Sequence, residues 1–170
     1  MRMAAMALAG FVIVMVVLAL TRDLMRPAPE VELGLAELGE IDEATLTERL
    51  SELRLDCTED EAVEPGARAC FAPADGVDGY DASYLALFYD AEQALEAVNI
   101  VLDPAAHEAN RARLDEHLGE PDETIDEAPG WLVWERGEHF ILSHAEPPED
   151  EPPVLMWFRD AEAAARLRPE

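Results

Sequence analysis

Cys57 and Cys70 are the two cysteines of the chain, thirteen positions apart. That spacing is not the CxxC of a redox pair, and two thiols with no histidine near them in sequence do not make a zinc site. A structural disulfide is the favoured reading, ahead of two free buried thiols. In chain-entropy terms a loop of that size is worth about 3 kcal/mol.

The remaining polar chemistry is scattered. His107 and His117 lie ten apart on one expected helix, which puts them on different flanks. His139 and His144 are separated by an odd number, so a continuous strand would turn them to opposite faces. Neither pair has metal-ligand spacing, and exposed or capping roles are expected for all four. Asp75, Asp78 and Asp81 repeat every third residue, which fits no EF-hand frame and reads as a turn-rich loop. Ser51, Ser83 and Ser143 stand in no nucleophile motif, and no Gly-rich phosphate loop occurs. With 38 acidic residues, no single carboxylate pair is informative as a general acid and base. The sequence therefore assigns no catalytic, cofactor-binding or metal-ligating residue, and the expectation is a protein that is not an enzyme. A carboxylate-dependent hydrolase is a lesser alternative.

Charge narrows the partners. The formal net charge is −26, and all 12 basic residues are arginine. All but one of the acids, and all but three of the arginines, lie beyond residue 26. Such a field repels phosphate backbones, which argues against nucleic acid, and it disfavours an anionic lipid surface. It suits a basic protein partner, divalent cations or a salty medium.

The N-terminus is different. Met3 to Leu20 is uncharged and apolar, and its 18 residues would span about 27 Å as a helix. Ala19-Leu20-Thr21 makes a poor cleavage site, and no lipobox cysteine follows. An uncleaved single-pass transmembrane helix is favoured over a removable signal. Arg2 precedes the segment while Arg22 and Arg26 come after it, so charge does not set its direction. The disulfide reading places the downstream domain on the extracytoplasmic, periplasmic side.

These residues must be positioned by the elements downstream. Residues 1–26 read as anchor and flank, 27–41 as linker and irregular lead-in, and 42–170 as an acidic α+β domain. Asp42 is a candidate N-cap for a helix over about 43–55, with Leu46, Leu50 and Leu53 on one face. Ala67–Ala72, Ser83–Tyr89 and Ala97–Leu102 read as strands. Asp103-Pro104 starts a second helix ending at Leu118, with Gly119 as its cap. Trp131–Glu135, His139–Ser143 and Val154–Phe158 read as three more strands, and Ala161–Leu167 as a helix or a closing strand. Trp131, Trp134, Trp157, Phe140 and Phe158 are expected in the core.

The order helix, three strands, helix, three strands suggests a tandem αβββ duplication, with halves 42–102 and 103–170. Two echoes support it: Arg49-Leu50-Ser51-Glu52 with Arg113-Leu114-Asp115-Glu116, and Phe88 to Glu92 with Phe158 to Glu162. The expected fold is thus α+β, a small antiparallel sheet with both helices on one face and the other face free to bind. The expected function is a membrane-anchored, non-catalytic envelope protein whose domain binds another protein. An inhibitor or immunity-type protein using the acidic loops Glu59–Glu61 and Glu146–Glu151 against a basic partner is the alternative.

Overall fold

The computed structural model of the chain describes residues 28–58, 68–125 and 130–167. Met3 to Leu20 lies outside the described residues, and among those described no helix is long and apolar enough to cross a membrane. The elements, in order, are β1 (Glu30–Val31), α1 (Glu43–Arg49), β2 (Asp56–Thr58), β3 (Arg68–Pro73), β4 (Gly76–Val77), β5 (Tyr80–Tyr89) and β6 (Leu95–Leu102). After these come α2 (His107–Leu118), β7 (Glu123–Ile125), β8 (Trp131–Arg136), β9 (His139–His144), β10 (Val154–Phe158) and α3 (Ala161–Leu167). Short 3-10 turns occupy Leu35–Glu37 and Pro104–Ala106.

The strands form one sheet whose body runs β2-β3-β5-β6-β10-β9-β8-β7, every neighbouring pair antiparallel. β4 pairs with the start of β5, and β1 joins β4 in parallel. Strand register stacks Cys70, Leu87, Val98, Trp157, Ile141 and Trp134 in one row across six strands. Leu46, Leu50, Leu53, Leu114 and Leu118 pack over that row from the helix side. Burying this row and its helices is the main apolar contribution to folding, at about 25 cal/mol per Å² removed from water.

Local signals set the helix ends. The Asp42 carboxylate accepts from Thr45 N–H at 2.7 Å, and Asp103 accepts from Ala105 N–H at 2.9 Å. Gly119 ends α2 at φ +73°, a conformation that costs a residue with Cβ. The first helix stops at Arg49, shorter than the sequence suggests. Leu50 and Leu53 are nonetheless buried, because the turns after Arg49 keep them on the same side.

The α+β reading with two αβββ units is overturned. The described chain is predominantly β, with ten strands against three short α-helices. Residues 42–102 carry five strands after their helix, and residues 103–170 carry four strands and a closing helix. The echo at Phe88 closes β5 and enters a turn, whereas the echo at Phe158 closes β10 and enters α3, so the two are not equivalent. Nor do the helices share a face. α1 and α2 cover the row through Leu87 and Trp157, while Ala163 of α3 packs on the opposite side with Val133, Leu142 and Phe158. The extra strands escape sequence reading because they are two or three residues long, too short for a period-two pattern to show.

Candidate binding face

From Tyr84 onward β5 is apolar at both parities, Tyr84-Leu85-Ala86-Leu87-Phe88. A strand with one wet face would alternate; this one presents apolar side chains to both sides. Leu85 and Leu87 turn to the helix side and are fully buried. Tyr84, Ala86 and Phe88 turn to the other side, the side on which α3 packs against β6, β9 and β10. Tyr84 is 40% exposed, and Phe71, Phe88, Asn99 and Met156 beside it are half-buried.

Register builds the face. Phe71, Ala86, Asn99, Met156 and Leu142 form one row across five strands. Ala69, Phe88, Ala97, Phe158 and Phe140 form the next. The Phe71 ring stacks on Tyr84 and meets Phe88 edge-on, each with centroids 6.3 Å apart. Such pairs contribute about 0.5–1.5 kcal/mol beyond area burial and help to order the shelf. Phe88, Asn99, Met156 and Phe158 rim a hollow of about 80 Å³. A second, of about 200 Å³, lies between Glu123, Glu135, Phe140 and α3. Asn99 Oδ1 is the one buried side-chain polar atom without a hydrogen-bond partner among the described residues. An unmade bond of this kind costs about 1–3 kcal/mol, so its position at a hollow marks a place where a donor is missing.

A cleft of about 380 Å³ opens on the helix side over Leu118, Ile141 and Leu155. Asp78, Tyr80 and His117 on its wall bond within the fold. Asp78, at φ +51°, accepts from Leu33 and Gly34 N–H on Oδ1 and from Leu35 N–H on Oδ2, at 2.6 to 2.9 Å. The Tyr80 hydroxyl meets His117 Nδ1 at 3.5 Å. Burial, with the Asp78 charge adding and Arg113 opposing, pushes the Tyr80 phenol up to about 12. A phenol so raised stays protonated at neutral pH.

Of the residues with candidate chemistry, Cys57 and Cys70 are disulfide-bonded and join β2 to β3 as cross-strand neighbours. Asp75, Asp78 and Asp81 do not converge on a ligand: the first bonds Pro29 through its backbone, the second caps the lead-in, and the third is held by Asn110. His139 Nδ1–H donates to the Arg159 carbonyl, 2.7 Å away, and its ring lies 5.4 Å from that of Trp157. His144 is buried rather than exposed. Its Nδ1 accepts from Val154 N–H at 3.1 Å and its ring lies 4.1 Å from that of Trp131. Burial lowers its pKa, with Glu151 opposing and His107 adding. Trp134, Trp157 and Phe158 are buried as expected, while Trp131 and Phe140 are half-buried on the side away from α1 and α2. Among the described residues no group of three or more His, Cys, Asp or Glu is placed to hold a metal. Glu59–Glu61 lies outside the described residues, and Glu146–Glu151 is a mostly exposed loop.

No protein-family model matches the chain, and no curated protein matches it. Among solved structures the chain is similar to the DUF4309-family protein YjgB of Bacillus subtilis subsp. subtilis strain 168, at 10% identity and a TM-score of 0.31. That match covers 46% of this chain and 63% of the other, and a likeness of this extent carries no argument about fold or function.

Proposed function

We propose that this chain is a non-catalytic, membrane-anchored envelope protein that binds another protein on the aromatic face of its sheet, beside α3. The observation that carries the reading is the Phe71–Tyr84–Phe88 shelf beside the unpartnered Asn99 Oδ1. A partly exposed aromatic cluster beside a polar group is a common makeup of an interface core. The apolar Met3–Leu20 run supports the anchor. The Cys57–Cys70 disulfide supports an oxidising compartment. Asp78, Tyr80 and His117 on the wall of the large cleft are engaged within the fold.

Photo-crosslinking in native membranes tests this. A photoreactive amino acid replacing Tyr84 is expected to yield a discrete protein adduct. The same group replacing exposed Ala112 on α2 is expected to yield none. Adducts from position 112 with none from position 84 would overturn the reading.

A further inference from the structure

The disulfide has one half at the surface and the other in the core. β2 pairs only with β3, and its residues, Cys57 among them, are exposed. Cys70, directly opposite, is fully buried in the row with Leu87 and Val98. Arg68 precedes Cys70 by two positions, so its side chain leaves β3 on the same side as the sulfurs. Its Nη2 donates to Cys57 Sγ at 3.3 Å. Two contacts hold the guanidinium there. It lies 5.5 Å from the centroid of the Tyr89 ring, directly across on β5. Its Nη1 meets Gln93 Oε1 at 3.5 Å. Gln93 sits in the turn from β5 to β6 at φ +65°, an uncommon conformation for a residue with a Cβ.

An arginine beside a sulfur favours the thiolate over the thiol, and apolar burial does the opposite. Exchange with an outside disulfide needs a thiolate that the disulfide can reach. Both conditions single out Cys57.

We propose that Cys57 is the exchanging sulfur of the pair and Arg68 its positioning residue, so that this disulfide is made and unmade through a mixed disulfide on Cys57. In the forward direction the Cys57 thiolate attacks one sulfur of a disulfide-bearing oxidant. An S–S bond forms to Cys57, the oxidant's own S–S bond breaks, and its second sulfur leaves with the electron pair as a thiolate. Cys70 then gives its proton to solvent and attacks Cys57 Sγ. The mixed disulfide breaks, and the oxidant's first sulfur leaves as a thiolate. Two cysteines are oxidised to one disulfide, and one disulfide is reduced to two thiolates. A reducing thiol retraces the same steps, attacking at Cys57 and expelling Cys70. None of this depends on what covers the aromatic face.

The test uses the full chain in nanodiscs at neutral pH, with oxidised glutathione as the probe. Cys70→Ser leaves Cys57 alone, and Cys57→Ser leaves Cys70 alone. Folded Cys70→Ser is expected to take up glutathione about threefold faster than the same chain in urea, since a more populated thiolate outweighs its lower nucleophilicity. Folded Cys57→Ser is expected to react more slowly than its own chain in urea. Adding Arg68→Gln to Cys70→Ser should remove the gain, and Arg68→Lys should restore part of it. A folded Cys70→Ser chain no faster than in urea, or unaffected by Arg68→Gln, would overturn the proposal. The disulfide-intact chain gives a second reading, which decides the matter if near-UV circular dichroism shows Cys70→Ser unfolded. Reduced glutathione is expected to open the bond about threefold more slowly in Arg68→Gln than in wild type, with partial recovery in Arg68→Lys. Equal or faster opening in Arg68→Gln would overturn the proposal.

Discussion

The ring of Tyr84 lies stacked on that of Phe71, centroids 6.3 Å apart and planes at 25°, on the side of the sheet away from α1 and α2. The two residues sit on neighbouring strands, and their contact belongs to an apolar row pattern that continues through Asn99 to Met156. A solvent-facing sheet surface is ordinarily polar. Here a 40%-exposed tyrosine is held in place by other aromatics, and the nearby Asn99 carbonyl lacks a donor. The proposed partner surface would cover that arrangement.

Asn99→Leu separates fold stability from partner binding. Volume is nearly conserved and the unsatisfied oxygen is removed. The variant is expected to be more stable by about 1 kcal/mol in denaturant unfolding, and to capture less partner than the wild type. A less stable variant with undiminished capture would show that Asn99 serves the fold.

The disulfide joins β2 to β3 across a pair of directly opposed residues. Cys57→Ser with Cys70→Ser is expected to lower unfolding free energy by about 3 kcal/mol. Reducing agent should do the same to the wild type and nothing further to the double variant.

Gly39 and His139 meet where no side chain fits between them. A Cβ on Gly39 would lie 1.7 Å from His139 Nε2. Gly39→Ala is expected to cost about 1–3 kcal/mol by overpacking. His139→Ala in the same chain should recover part of that loss, and a double-mutant cycle in urea reads the coupling. Strictly additive effects would refute the contact.

His144 gives a pH dependence of known sign. Its folded pKa lies below its ordinary value because burial and the bond from Val154 N–H favour the neutral ring. Below about pH 6.5 the unfolded chain then binds the proton more readily than the folded one. This contribution is full above the unfolded pKa and is lost as pH falls through it towards the folded value. Wild type compared with His144→Gln between about pH 7.5 and pH 5 should show the gap narrowing as pH falls. Imidazole NMR titration checks the direction independently.

The features legible in the sequence are those written in consecutive residues. Asp42, Asp103 and Gly119 mark helix ends through local backbone chemistry, and all three do so in the structure. The six long strands carry enough apolar residues to announce themselves. β1, β2, β4 and β7 do not, because pairing across the sheet rather than local pattern makes them strands. The duplication reading fails for a related reason: Phe88-Tyr89-Asp90 and Phe158-Arg159-Asp160 share residue types but lead into different elements. Asp90 takes part in a turn, and its carboxylate binds Arg159 at 2.7 Å. Asp160 instead caps α3 through Ala163 N–H. The binding face is half visible in the sequence. Tyr84-Leu85-Ala86-Leu87-Phe88 shows a strand apolar on both sides, but how much of each side is covered depends on where α1, α2 and α3 dock. Asn99 gives no signal at all, since its missing partner exists only once β5 and β10 flank it.

Carbene footprinting of the full chain tests the central claim most directly, comparing native membranes with the purified protein. Phe71, Tyr84 and Met156 are expected to be labelled in the purified protein and protected in the membranes, while Ala112 on α2 is labelled equally in both. Equal labelling of Phe71, Tyr84 and Met156 in the two preparations would contradict a partner-covered face.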